Sequence, residues 1–132
     1  EIIMSKRIVS AILCLALVVA MAIPAFAATT LYSRINAGYR ITGTATVSSS
    51  RATSTMTASE VSGSAVKPIE EYSDSVVFIT AYDKAGNKIG TASNYGYPTL
   101  TTVLTGTTTS IYRAEFTHTF NNTTYGYYTL YA

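Results

Sequence analysis

The 132-residue sequence contains one histidine, the side chain that most readily exchanges a proton near neutral pH. His118 alternates with Phe116 and Phe120, which places it on the apolar phase of a predicted strand. One histidine cannot hold a metal ion alone, and no G-x-S-x-G nucleophile motif accompanies it. We therefore expect a strand histidine near a sandwich edge with its ring hydrogen-bonded, and general-base chemistry is the alternative.

Carboxylates are concentrated at Glu70, Glu71 and Asp74, and Asp83 follows at the next predicted turn. Oxygen ligands of this kind suit Ca²⁺, and two of them could form the acid pair of a glycosidase. The spacing matches no calcium-loop motif of the D-x-D-x-D-G type. We expect a solvated acidic loop, with no catalytic residues, no metal site and no cofactor.

Tyrosine is the third kind of candidate, because the chain has 11 tyrosines and no tryptophan. The ring offers a large amphipathic contact area at low entropy cost, which suits binding to a sugar or protein surface. Cross-strand packing of the rings is the alternative role. The candidate contact residues are Tyr95 and Tyr97 in a predicted loop, and Tyr125, Tyr127 and Tyr131 in the last predicted strand.

That last strand carries tyrosine on both phases. Alternation places Tyr125, Tyr127 and Tyr131 on one face, and Tyr128 and Leu130 on the other. Rings left exposed at a sheet edge, beside unpaired N–H and C=O groups, can recruit another chain by strand addition. The expected partner is therefore a cell-surface glycan, a protein or a second copy of this chain.

The elements that would position these residues begin after a secretory pattern. Lys6 and Arg7 precede an apolar run over residues 8–23, which is shorter than the ~20 residues of a membrane-spanning helix. We expect a cleaved signal peptide over residues 1–27, and an uncleaved anchor is the alternative; either places the rest outside the cytoplasm. The small residues around the expected cleavage point are Ala25, Ala27 and Ala28.

Residues 28–132 have the size of one domain. Cys14 lies in the signal segment, so no disulfide is available to this domain. Without Lys6, Arg7 and Glu1 the formal net charge falls from +2 to +1. A near-neutral balance of this kind favours neither a nucleic acid nor, after cleavage, a membrane as partner.

Period-two alternation recurs along the whole domain and predicts about eight short antiparallel strands, that is, an all-β sandwich of the immunoglobulin-like or a similar type. The expected strands cover residues 30–35, 39–48, 53–57, 75–82, 88–93, 100–104, 112–120 and 125–131. Residues 75–82 are apolar on both phases, which is typical of a strand covered on both faces or central in a sandwich. A long loop over residues 61–74, with one helical turn after Pro68, and a second loop over residues 94–98 interrupt the strands.

The stretch Val77 to Gly90, VFITAYDKAGNKIG, is the most specific local motif. It resembles the strand-turn-strand hairpin of bacterial immunoglobulin-like and fibronectin-like modules. The whole precursor resembles short, Ser/Thr-rich secreted proteins of Gram-positive bacteria. These resemblances imply export and a β fold, and they supply no catalytic residues.

We therefore expect a secreted, non-enzymatic protein that acts by surface contact, as an adhesive, matrix or envelope-associated module. A secreted hydrolase that uses acids of the 70–83 region with His118 is one alternative. A small antimicrobial or toxin-like effector is the other, although no cationic amphipathic segment is present.

Overall fold

The computed structural model describes residues 27–132. The predicted signal peptide lies outside the described residues except for Ala27, which is exposed, as is Ala28 just before the first strand. Across residues 27–132, no helix is both long and apolar enough to cross a membrane.

Eight strands and one turn of 3-10 helix follow one another along the chain, as the alternation predicts. The strands are β1 (Thr29–Asn36), β2 (Tyr39–Val47), β3 (Arg51–Glu60), β4 (Ser75–Tyr82), β5 (Lys88–Gly96), β6 (Leu100–Thr105), β7 (Arg113–Phe120) and β8 (Thr123–Tyr131). The 3-10 turn (Ile69–Glu71) starts directly after Pro68, which confirms the helical turn expected there. The expected strands over residues 75–82 and 88–93 are confirmed and pair as the hairpin of β4 and β5.

The strands form two antiparallel sheets, in the orders β1-β2-β3-β6 and β5-β4-β7-β8. Every second side chain of β2, β3, β4 and β7 is buried between the sheets, so the all-β prediction is confirmed in a sandwich-like arrangement. Most outward positions of β2 and β3 are threonines that face each other across the strands, such as Thr44 beside Thr55. The first sheet therefore presents a polar outer face.

The interior between the sheets is divided between two groups of side chains. One group holds large aromatic rings, among them Tyr39, Tyr72 and Phe120, whose ring centres lie 4.7–6.4 Å apart. The other is built around small residues such as Ala45 and Ala81 with Phe116. Among residues 27–132, no buried side-chain nitrogen or oxygen lacks a hydrogen-bond partner.

Strand β4 is central in its sheet, which is one of the two settings expected for it, and it is not covered on both faces, which is the other. Val77 and Ile79 are fully buried, but the alternate residues point away from the interior, and Phe78 is 38% exposed. The second apolar phase lies on an outer face that no second layer covers. It is a surface feature rather than a core feature.

The expected loop over residues 94–98 is in part a strand. Residues 94–96 continue β5, with Tyr95 paired to Val76 and Gly96 to Ser75, so Tyr95 lies in a strand rather than a loop. The pairing with β4 extends β5 through Tyr95, and the local turn residues do not reveal that pairing. His118 lies in β7, next to the edge strand β8, and its ring is hydrogen-bonded, as expected.

Candidate functional site

His118 is the centre of a buried polar cluster that bridges the two sheets. Its Nδ1 lies 2.7 Å from the Tyr32 hydroxyl of β1, and its Nε2 lies 2.5 Å from the Ser54 hydroxyl of β3. All three side chains are at most 3% exposed. A neutral imidazole has one donor and one acceptor nitrogen, so the two hydroxyls satisfy both.

The electrostatics of this cluster keep it uncharged. Burial lowers the pKa of His118 to about 4. Burial, followed by the nearby hydroxyls of Tyr125 and Tyr128, raises the pKa of Tyr32. The imidazole is therefore neutral at physiological pH, and its two hydrogen bonds link the two sheets.

The Ser54–His118 contact has the atoms of a nucleophile–base pair but not the setting of one. The third partner is a tyrosine hydroxyl in place of a carboxylate, and the serine oxygen is buried with no exposed surface. A substrate has no route to this oxygen in the folded chain. The sequence pattern placed His118 on the inward phase correctly but gave no sign of Tyr32 or Ser54.

The predicted acidic residues do not converge on one point. Glu70, Glu71 and Asp74 are exposed around the 3-10 turn. Asp83 accepts hydrogen bonds from the Asn87 backbone N–H at 2.9 Å and side-chain amide at 3.2 Å, and these bonds lower its pKa. Asp83 thus organises the β4–β5 turn, and no three His, Cys, Asp or Glu side chains of residues 27–132 are grouped to hold a metal ion.

The tyrosines of β8 are divided differently from the expected alternation. Tyr125 and Tyr128 turn inward and stack on Tyr32, with ring centres 4.8 and 5.5 Å away. Tyr127 and Tyr131 point outward and are 78% and 63% exposed. The expected single face of Tyr125, Tyr127 and Tyr131 is therefore wrong.

A β-bulge causes this division. Phe116 pairs with Tyr128 and His118 with Tyr125, so Gly126 and Tyr127 together stand opposite Thr117. The extra residue shifts the alternation by one position along the rest of the strand. Tyr125 is also anchored through its hydroxyl, which accepts a hydrogen bond from Asn36 Nδ2 at 3.0 Å.

The outer face of the second sheet carries the remaining candidates. We name its uncharged half the aromatic face, which consists of Val76, Phe78, Tyr95, Thr117, Thr119 and Tyr127. Its rows follow from the strand pairs: Tyr95 beside Val76 and Thr119, and Phe78 beside Thr117, with Tyr127 at the β8 edge. Tyr95 is 78% exposed, and Tyr97, which follows β5, is 59% exposed.

The other half of the same outer face is charged and internally paired. Arg113 donates to Glu115 at 2.8 Å, and its guanidinium lies 3.9 Å from the centre of the Tyr82 ring. The exposed Tyr131 packs edge-on against Tyr112, with ring centres 5.6 Å apart. This half is occupied by its own contacts, whereas the aromatic face leaves its rings free for a ligand.

The inward and outward tyrosines of β8 are expected to respond differently to the same substitution. Tyr125→Ser removes a ring stacked on Tyr32 and one of the two acceptors of the Asn36 side-chain amide, which should reduce the free energy of unfolding by about 2 kcal/mol. Tyr127→Ser removes an exposed ring and should change it by less than about 0.5 kcal/mol. Urea unfolding of residues 28–132, followed by circular dichroism, measures both. Equal losses for the two variants would contradict the assignment of the bulge.

Comparison with known proteins adds no relative. No protein-family model matches the chain, and no curated protein or solved structure matches it. The basis for a function is therefore the placement of the side chains described above.

Proposed function

We propose that this chain is the precursor of an exported, non-enzymatic β-sandwich that works by surface contact, as an adhesive, matrix or envelope-associated module. The observation that carries the proposal is the aromatic face, where Tyr95 and Tyr127 are each 78% exposed and Phe78 is 38% exposed on one uncharged sheet surface. Solvent-exposed rings that share a surface are a common sign of a binding site. The secretory pattern of residues 6–27 supports export.

The chemistry of this face favours a glycan strand with uncharged sugars as the partner. Ring faces suit the C–H faces of sugars, and the hydroxyls of Thr117 and Thr119 between the rings can exchange hydrogen bonds with sugar hydroxyls. Strands lie about 4.8 Å apart, so the distance from β5 to β8 is roughly 14 Å. A sugar chain laid across the sheet would meet Tyr95, then the Phe78 row, then Tyr127.

The buried polar cluster supports a role without catalysis. His118, Ser54 and Tyr32 use their polar atoms on one another and have almost no exposed surface. General-base chemistry requires the base to reach a substrate proton within hydrogen-bond distance. The folded interior does not allow that approach.

Binding of residues 28–132 to insoluble polysaccharides tests the proposal. We expect retention on at least one of cellulose, chitin and cell-wall glycan, and loss of at least about 10-fold in affinity in the Tyr95→Ala/Tyr127→Ala double variant, because two free rings are removed. Tyr131→Ala is the matched control, since it removes a ring that is also exposed, at 63%, from the charged half of the same sheet. Circular dichroism establishes that each variant is folded.

Two results would refute this function. One is a parent protein that is not retained on any of the polysaccharides. The other is a Tyr131→Ala variant that loses as much affinity as the double variant, because binding would then not depend on the aromatic face.

A further inference from the structure

A second surface feature lies at one end of the first sheet and is separate from the aromatic face. A cavity of about 670 Å³ opens between the ends of β2 and β3 and the following loop, residues 61–70. We name it the loop cavity. Tyr39 and Glu60 line it from the sheet, and Val66 and Glu70 line it from the loop. Its volume is in the range of sites that hold small ligands or short peptide segments.

The loop that forms the cavity is held in place by hydrogen bonds to the β1–β2 turn and to Tyr39. The Val61 and Val66 N–H groups donate to the carbonyls of Gly38 and Ala37, at 2.9 and 3.1 Å. The Tyr39 hydroxyl donates to the Lys67 carbonyl at 2.9 Å. A ligand would therefore meet a formed site and would not have to order the loop.

Gly38 allows this close approach of the loop to the β1–β2 turn. Its φ is +81°, and a Cβ atom there would overlap the Ser64 carbonyl. Only glycine satisfies both conditions readily. The geometry of the cavity is thus built into the turn.

The lining combines apolar surface with two carboxylates and one lysine. Ala58, Ala65 and Ile69 contribute apolar atoms, and Val66 is 77% exposed at the opening. Glu60 and Glu70 both lie close enough to Tyr39 that, after burial, their charges help to raise the pKa of its hydroxyl.

Neither carboxylate forms an ion pair with a cation of residues 27–132. The one ion pair within residues 27–132 joins Arg113 to Glu115. Lys67 also lines the cavity, but its Nζ lies over the Tyr72 ring, 4.5 Å from the ring centre. An apolar groove with two free carboxylates is complementary to an alkyl stem that ends in a positive charge.

We infer that the loop cavity binds a lysine side chain of a protein partner, with the alkyl stem against Val66 and the ammonium group between Glu60 and Glu70. Lysine fits better than arginine, because the two carboxylates come from different elements and offer two single acceptors instead of one planar, bidentate partner. The partner segment is extended across the mouth of the cavity, which is open to solvent. This interaction does not depend on the glycan contact, since the aromatic face belongs to the other sheet.

Titration of residues 28–132 with the capped tripeptide acetyl-Ala-Lys-Ala-amide, followed by NMR, tests the inference. We expect chemical-shift changes at the amides of Val66 and Ile69, and a dissociation constant at least 5-fold higher for the Glu60→Gln/Glu70→Gln double variant. Glu71→Gln is the matched control, because it removes the same charge from the same 3-10 turn but does not line the cavity. It should leave the dissociation constant unchanged.

A second probe isolates the ammonium group. The same tripeptide with its lysine side chain acetylated has a similar shape and no charge, and it should bind at least 5-fold more weakly. Absence of shifts with the lysine peptide, equal binding of the acetylated peptide, or an equal loss in Glu71→Gln would each overturn the inference. Glycan retention measured on the same variants is expected to be unchanged, so failure here is distinguishable from failure of the proposed function.

Discussion

Lowering the pH from 7 to 4 is expected to reduce the free energy of unfolding of residues 28–132 by about 3 kcal/mol through His118 alone. The pKa of His118 is about 4 in the folded chain, against an ordinary value of 6.5. As the pH falls through 6.5, His118 becomes protonated in the unfolded chain but stays neutral in the folded chain. The contribution of the neutral imidazole is thus fully present above pH 6.5 and is lost progressively as the pH approaches 4.

Urea unfolding at intervals between pH 7 and pH 4 measures this dependence. His118→Gln is the control, because an amide keeps hydrogen-bonding capacity toward Tyr32 or Ser54 but does not titrate. The quantity compared is the change in unfolding free energy across the pH range, not the absolute stability of either protein. If both proteins lose the same free energy over this range, the titration does not originate at His118.

Gly43→Ala is expected to reduce the free energy of unfolding by about 3 kcal/mol. Gly43 lies on the inward phase of β2, and a Cβ atom there would overlap the edge of the Tyr32 ring and lie 2.9 Å from His118 Nδ1. The added methyl group must displace Tyr32, which both crowds the interior and breaks the bond to His118. The same urea experiment at pH 7 measures the loss.

Gly90→Ala is the matched control, because it also places an alanine at a glycine position within a strand. Gly90 is also a strand glycine, but the nearest atoms to an added Cβ are side-chain methyl groups of Leu104 and Thr107, at 3.2–3.4 Å. These groups can move by a few tenths of an ångström, so the expected change is below about 1 kcal/mol. A Gly43→Ala variant no less stable than Gly90→Ala would contradict the close packing of Tyr32 on β2.

The strands and most of their buried phases could be predicted from the sequence, because alternation is a local property. Phe116, His118 and Phe120 are all buried, as their spacing indicates. The bulge opposite Thr117 could not be predicted, since it depends on how β8 pairs with β7 and not on the residues of β8 alone. The same limit applies to β4: its two apolar phases fitted either a covering layer or a central strand, and only the sheet order shows that it is a central strand with one uncovered face.

The hydrogen-bond partners of His118 could not be predicted from the sequence for a different reason. His118 is 86 residues from Tyr32 and 64 from Ser54, and hydroxyl residues are too frequent in this chain for any one to stand out. One local signal was available in retrospect. Gly43 occupies an inward position in an otherwise regular strand, where a glycine often marks the close approach of another group.

The length of β2 determines where a carrier or reporter can be attached without blocking the loop cavity. Ala27 and Thr29 line a small cavity together with Leu130 and Ala132 at the end of the molecule where β2 finishes, while the loop cavity opens where β2 starts. The nine residues of β2 separate these two poles by roughly 27 Å. A carrier, resin or reporter protein fused at residue 27 or at residue 132 would therefore sit at one pole and leave the opposite pole unobstructed. Because residues 27 and 132 are neighbours, a short linker could join them in a circular permutant of residues 27–132, and the exposed β4–β5 turn would then supply the new termini.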